Sequence, residues 1–166
     1  MRSLFLAAVL AASAASAEEG EVTREESAPR NYVALMAGTT LAYRAPAKPF
    51  EGPQGDVSPM VGYARFVTEH VALELDVGPT FAGGGYASFT LVPGAVVEIS
   101  EYLYVAMRLL VPVQPEVNFG FFPGVGATLP LSHGFVLFAE ANLASMVGRG
   151  SPDLGFGLTL GSLYRF

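Results

Sequence analysis

Residues 71–81 read VALELDVGPTF, and the polarity changes at every step. Val71, Leu73, Leu75, Val77, Pro79 and Phe81 fall on one face, and Ala72, Glu74, Asp76, Gly78 and Thr80 on the other. A two-residue period belongs to extended strands, whose successive side chains point to opposite faces. The same period runs through about eight segments, near 31–44, 58–69, 71–82, 87–99, 102–113, 117–131, 134–147 and 154–166. Each has at least the roughly 9–11 residues that a tilted strand needs to cross a bilayer. No stretch from Asn31 onward carries a convincing helical period.

Two architectures share this period, and the bulk of the apolar face separates them. A soluble up-and-down barrel turns its apolar face inward. Here that face carries Leu103, Val105, Met107, Leu109, Val111 and Val113 in one segment and Leu154, Phe156, Leu158 and Leu160 in the last. Such side chains are too bulky to line so narrow a barrel. The opposite faces are small or polar: Gly155, Gly157, Thr159 and Gly161, and likewise Asn118, Gly120, Gly124, Gly126 and Thr128. Large residues outside and small ones inside are favoured only where lipid is the solvent. The fold expected is all-β, an eight-stranded antiparallel up-and-down transmembrane β-barrel. It must close, because an open strand edge in hydrocarbon would leave backbone donors and acceptors unpaired.

Connections alternate in length. Tight turns are expected near Glu69–His70, Ser100–Glu101 and Ser132–Gly134, whereas residues 45–57, 83–86, 114–116 and 148–153 form the Gly- and Pro-richer set. An even strand number then brings both chain ends to the tight-turn side, the pattern of outer-membrane barrels with short periplasmic turns. Aromatics gather at both ends, Tyr102, Phe135, Tyr164 and Phe166 at one and Tyr43, Phe81, Phe89, Phe119, Phe121 and Phe156 at the other, as interfacial girdles do.

The start of the chain reads as an export signal. Arg2 is followed by the apolar run 4–12 and by Ala15-Ser16-Ala17, a small-x-small cleavage site, so 1–17 is expected to be a signal peptide. A run of about 12 apolar residues is too short to span a hydrocarbon core of ~30 Å. Residues 18–30 are acidic and poor in apolar side chains, and are expected to form a disordered periplasmic leader. The barrel domain is then 31–166. The absence of Cys removes disulfides and thiolate metal sites, and a net charge of −6 argues against nucleic acid as a partner.

The last strand ends on Phe166, with Tyr164, Leu160 and Leu158 on the same face. This resembles the C-terminal signal through which outer-membrane barrels are recognised by their assembly machinery, although Ser162 replaces the usual apolar residue. More widely, residues 31–166 resemble the small eight-stranded outer-membrane β-barrel proteins of the OmpA, OmpX and OmpW kind. The resemblance implies the outer membrane of a diderm bacterium, both termini periplasmic, with lipid and the assembly machinery as partners and the chain a monomer. It leaves function open.

Arg65, Glu74, Asp76, Glu98, Arg108 and Glu140 occupy polar-face positions at similar distances from the tight turns. They are expected to meet in the lumen as a plug of ion pairs, with Arg108 and Glu140 most central and with Met36, Phe122 and Phe138 as candidates to close the space above them. Pro59, Pro79, Pro93, Pro112 and Pro123 lie about eight to ten residues from their tight turns and form an expected ring toward the outer leaflet. The ring either marks where regular pairing ends or, as in barrels resembling PagP and OmpW, weakens the wall for lateral passage of apolar molecules.

Barrel enzymes resembling PagL or PagP need a His beside a Ser or an acid. His70 and His133 both fall in expected tight turns, and the opposite loops carry Asp56, Ser58, Ser151 and Asp153 without a base. Neither a metal-ligand cluster nor a phosphate-cradling loop occurs, so neither enzymatic activity nor a cofactor is expected. An integral barrel with a plugged interior and a structural or interaction role is the leading reading. A conduit for small hydrophobic molecules is the alternative, and surface adhesion, which would favour long loops, comes third.

Overall fold

The computed structural model describes residues 31–44, 51–53, 55–114, 117–147 and 153–166. The signal peptide and leader expected at 1–30 lie outside the described residues. Eight strands follow one another in chain order: β1 (Asn31–Arg44), β2 (Ser58–Phe66), β3 (Val71–Ala82), β4 (Gly85–Glu98), β5 (Leu103–Gln114), β6 (Phe119–Pro130), β7 (Phe135–Val147) and β8 (Asp153–Arg165). Each pairs antiparallel with the next, and β8 returns to pair with β1, closing the barrel. Asn31 and Phe166 exchange backbone hydrogen bonds of 2.8 and 2.9 Å, so closure extends to the last residue.

Turn chemistry decides where the strands stop. β2 ends at Phe66, earlier than its alternation suggests, because Thr68 Oγ1 accepts the amide protons of His70 and Val71 and folds the chain back. Ser100 Oγ does the same for Tyr102 and Leu103. The third tight turn places His133 and Gly134 at positive φ, 51° and 85°. At the opposite end Gly83 and Gly84 adopt φ of 60° and 80°, the left-handed pair that a two-residue hairpin requires, and β4 consequently begins two residues before its expected start.

The faces are inverted relative to a soluble protein. Leu75, Val105 and Leu160 are 47, 38 and 55% exposed, while Glu74, Arg108 and Glu140 retain 7, 6 and 1%. Bulky apolar side chains also enter the hollow, which the alternation alone does not announce. Tyr32, Met36, Met60, Phe66, Val92, Val136 and Leu163 pack together inside, with Phe122 and Phe138 against them. An eight-stranded barrel is just wide enough for side chains to fill. At the tight-turn end Tyr164 stacks on Phe166 with 6.2 Å between ring centroids and lies 4.9 Å from Phe135, all three exposed.

Candidate functional site

The lumen is crossed by one guanidinium. Arg108 projects inward from β5, directly opposite Gly94 of β4, whose missing side chain leaves room for the arginine stem. Arg108 Nε donates to Glu74 Oε1 of β3, and Nη1 donates to Glu140 Oε1 of β7 at 2.5 Å. One cation thus ties two separated walls of the barrel. Asp76 stands two residues along β3, with Oδ2 3.8 Å from Arg108 Nε. Tyr32 donates its hydroxyl proton to Glu74 Oε2 at 2.9 Å.

These four charged groups are nearly inaccessible, and carboxylates outnumber the guanidinium three to one. Among the described residues Asp76 Oδ1 and Glu140 Oε2 find no hydrogen-bond partner. Toward the long-loop end the inward polar groups become neutral, as in the 2.9 Å hydrogen bond from Asn142 Nδ2 to Thr159 Oγ1. Toward the tight-turn end a second ion pair joins Arg165 Nη2 to Glu98 Oε1 at 2.6 Å, with side chains 27 and 20% exposed. Between the two pairs lies a cavity of about 30 Å³, bounded by Glu98, Arg165 and Thr128 on its more exposed side and by Glu74 and Arg108 on the buried one.

The structure therefore brings Glu74, Asp76, Arg108 and Glu140 together, and sets Glu98 in a separate pair. It corrects the placement of Arg65, which faces outward. On β2 the buried residues are Met60, Gly62, Ala64 and Phe66, and Arg65 lies between two of them with Asn31 and exposed Leu73 as its cross-strand partners. Phe66 fills the lumen beside Tyr32, with ring centroids 6.1 Å apart, and shares the inward parity of Met60, Gly62 and Ala64. The arginine that the sequence reading passed over is Arg165. Its signal was available, because it shares parity with Gly155, Gly157, Thr159 and Gly161 of the inward face.

Phe138 occupies the other side of the cluster from the one expected, two residues from Glu140 toward the tight turn, and lies over Gly161. Pro59, Pro79, Pro93 and Pro123 lie on the outward face, whereas Pro112 pairs with buried Thr90 and faces inward. The wall is interrupted beside all four outward prolines, and between β2 and β3 the pairing passes from Val61↔Val77 to the isolated bridge Val57↔Phe81 with no rung joining Pro59 to Pro79. Pairing of β4 with β5 passes from Leu91↔Val111 to Gly94↔Arg108 with no rung at Pro93, and that of β6 with β7 passes from Phe121↔Ser145 to Gly124↔Asn142 with none at Pro123. Proline supplies no amide proton to a ladder.

Other candidate positions have local roles. Asp56 accepts from the Thr40 amide at 2.7 Å and from Thr40 Oγ1 at 2.6 Å, holding the loop before β2 against the rim. His70 and His133 are exposed in tight turns. Leu158, Leu160 and Tyr164 face outward along β8, and Phe166 caps it. Ser151 lies outside the described residues.

No protein-family model matches the chain, and no curated protein matches it in sequence. Solved structures do. Ail, the attachment invasion locus protein of Yersinia pestis, aligns with a TM-score of 0.57 at 13% identity, over 83% of this chain and 99% of that one. A de novo designed transmembrane β-barrel aligns with a TM-score of 0.52 at 16% identity, over 82% and 95% of the two chains. The designed barrel TMB2.3 gives 0.54 at 12% identity, over 85% and 98%. Identities this low speak to fold alone, and the fold is that of the small eight-stranded transmembrane β-barrels.

Proposed function

We propose that this chain is a monomeric integral barrel of the bacterial outer membrane, non-catalytic and closed to ion flow, with a structural or interaction role. The observation that carries it is the inverted polarity: Leu75 and Val105 face out while Arg108, Glu74 and Glu140 are buried in the hollow. Only an apolar solvent around the barrel rewards that arrangement. In this reading both termini and the tight turns face the periplasm, residues 1–17 direct export, and the terminal strand with Tyr164 and Phe166 is read by the barrel assembly machinery. The Arg108 ion pairs and the apolar side chains around them plug the lumen. Planar bilayers containing the purified protein should show no stepwise conductance, and the protein should fractionate with the outer membrane. Discrete conductance steps would remove the plug from the account.

A second reading, lateral access of small hydrophobic molecules to the outer leaflet, is favoured by one observation, the missing rungs beside Pro93 and Pro123. Vesicles carrying the protein would then take up an apolar dye faster than empty vesicles. Replacing both prolines with alanine would slow that uptake.

A further inference from the structure

On the outward face of the described strands, Arg65 is the charged side chain at the tight-turn end. It stands one residue before the end of β2, at the tight-turn end, and makes no salt bridge among the described residues. Asn31 of β1 is its cross-strand neighbour, and Tyr63, on the same face two residues away, donates its hydroxyl proton to Asn31 Oδ1 at 2.9 Å. Leu73 and Val67, both more than half exposed, flank this polar patch.

A guanidinium on a lipid-facing wall is costly at the bilayer midplane, by roughly 2–4 kcal/mol, and nearly free of cost at the interface. Its place beside the turn puts Arg65 at headgroup depth, where an exposed Tyr such as Tyr63 also sits well. The partner of complementary charge at that depth is a phosphodiester, which the planar guanidinium can grip through two parallel hydrogen bonds. We propose that Arg65, with Tyr63 and Asn31 beside it, is a docking site for the phosphate of a phospholipid in the leaflet at the tight-turn end, and that it favours anionic phospholipid. The proposal rests on the reading of the chain as a bilayer-spanning barrel.

The chain has no Trp, so a single introduced indole reports its own surroundings. Leu73→Trp places it next to Arg65, and Leu137→Trp places it on the outward face of β7, away from the patch. In vesicles, quenching by brominated phosphatidylglycerol is compared with quenching by brominated phosphatidylcholine. At Leu73→Trp the anionic lipid should be preferred about fivefold, the value of one cation near a membrane surface. The preference should shrink in molar salt and vanish in Leu73→Trp/Arg65→Gln, and should be absent at Leu137→Trp. Equal quenching by the two lipids at Leu73→Trp, or a preference that survives Arg65→Gln, overturns the site. Absence of quenching by either lipid at both positions overturns instead the bilayer-spanning reading beneath it.

Discussion

Gly94 and Arg108 face each other across the β4–β5 ladder, and the arginine stem occupies the space a side chain on residue 94 would need. A Cβ there would lie 2.5 Å from Arg108 Cγ and 2.8 Å from the Met107 carbonyl oxygen. The arrangement recurs around the lumen: Asp76 lies over Gly62, Glu140 over Gly124 and the Tyr104 ring over Gly126. Each large group that crosses the hollow rests on a bare stretch of neighbouring backbone. In so narrow a barrel that is how a long side chain reaches the opposite wall without forcing the strands apart.

Gly94→Ala should therefore destabilise the barrel by about 1–3 kcal/mol through overpacking. Part of the obstruction is backbone, which cannot swing aside. Gly85→Ala is the control, since a Cβ at Gly85 meets nothing within 4 Å. Urea unfolding of the two variants in detergent micelles should show a lowered midpoint for the first and a shift within about 0.5 kcal/mol for the second.

The number of strands, their order and the side of each turn were legible because alternation and turn residues repeat along the chain. The inward face of β2 was not. Arg65 is expected to point in, but Phe66, packed on Tyr32 inside the lumen, gives the strand the opposite parity. A strand read one residue out of phase turns its arginine to the wrong solvent, since parity in a strand is all or nothing. The cluster around Arg108 was readable from residue types, whereas its partition was not. That Glu74 and Glu140 share Arg108 while Glu98 takes Arg165 depends on barrel tilt and register, which no single strand encodes.

Arg108 is the group whose loss costs most. Arg108→Met removes the cation that two buried carboxylates share and should cost about 3–5 kcal/mol, since breaking a buried pair leaves charge uncompensated. Adding Glu74→Gln and Glu140→Gln to it should recover part of that loss, because Asp76 is then the one of the three buried carboxylates that keeps a charge with no cation beside it. Thermal melting in detergent of the single and triple variants checks both statements. A single variant as stable as the parent would mean that the ion pairs contribute nothing to the wall.

The second ion pair should behave differently. Glu98 and Arg165 keep 20 and 27% of their side-chain surface, so water screens their attraction and solvates either partner left alone. Glu98→Gln should cost no more than about 1 kcal/mol, the range of partly exposed pairs. The same melting series, run at low and high salt, should show the Glu98 effect shrinking with added salt and the Arg108 effect holding.

Phe166 closes the barrel with its backbone as well as its ring. Its amide donates to Asn31 and its carbonyl accepts from Asn31, at 2.9 and 2.8 Å, so deleting the residue removes a rung from the β1–β8 seam along with an exposed aromatic. Two lost hydrogen bonds at a strand end are worth about 1–3 kcal/mol together, too little to unfold a barrel that keeps the register from Tyr32 to Arg44 along the same seam. Refolding of the truncated chain into detergent should therefore succeed with a modestly lowered melting temperature. Assembly in cells is a separate matter, because there the terminal strand is also what the proposed machinery reads. If that reading is right, the truncated chain should accumulate unassembled in the periplasm while folding normally in detergent. Phe166→Tyr, which keeps the backbone rung and the aromatic face, should restore assembly. Normal outer-membrane levels of the truncated chain would confine Phe166 to its place in the seam.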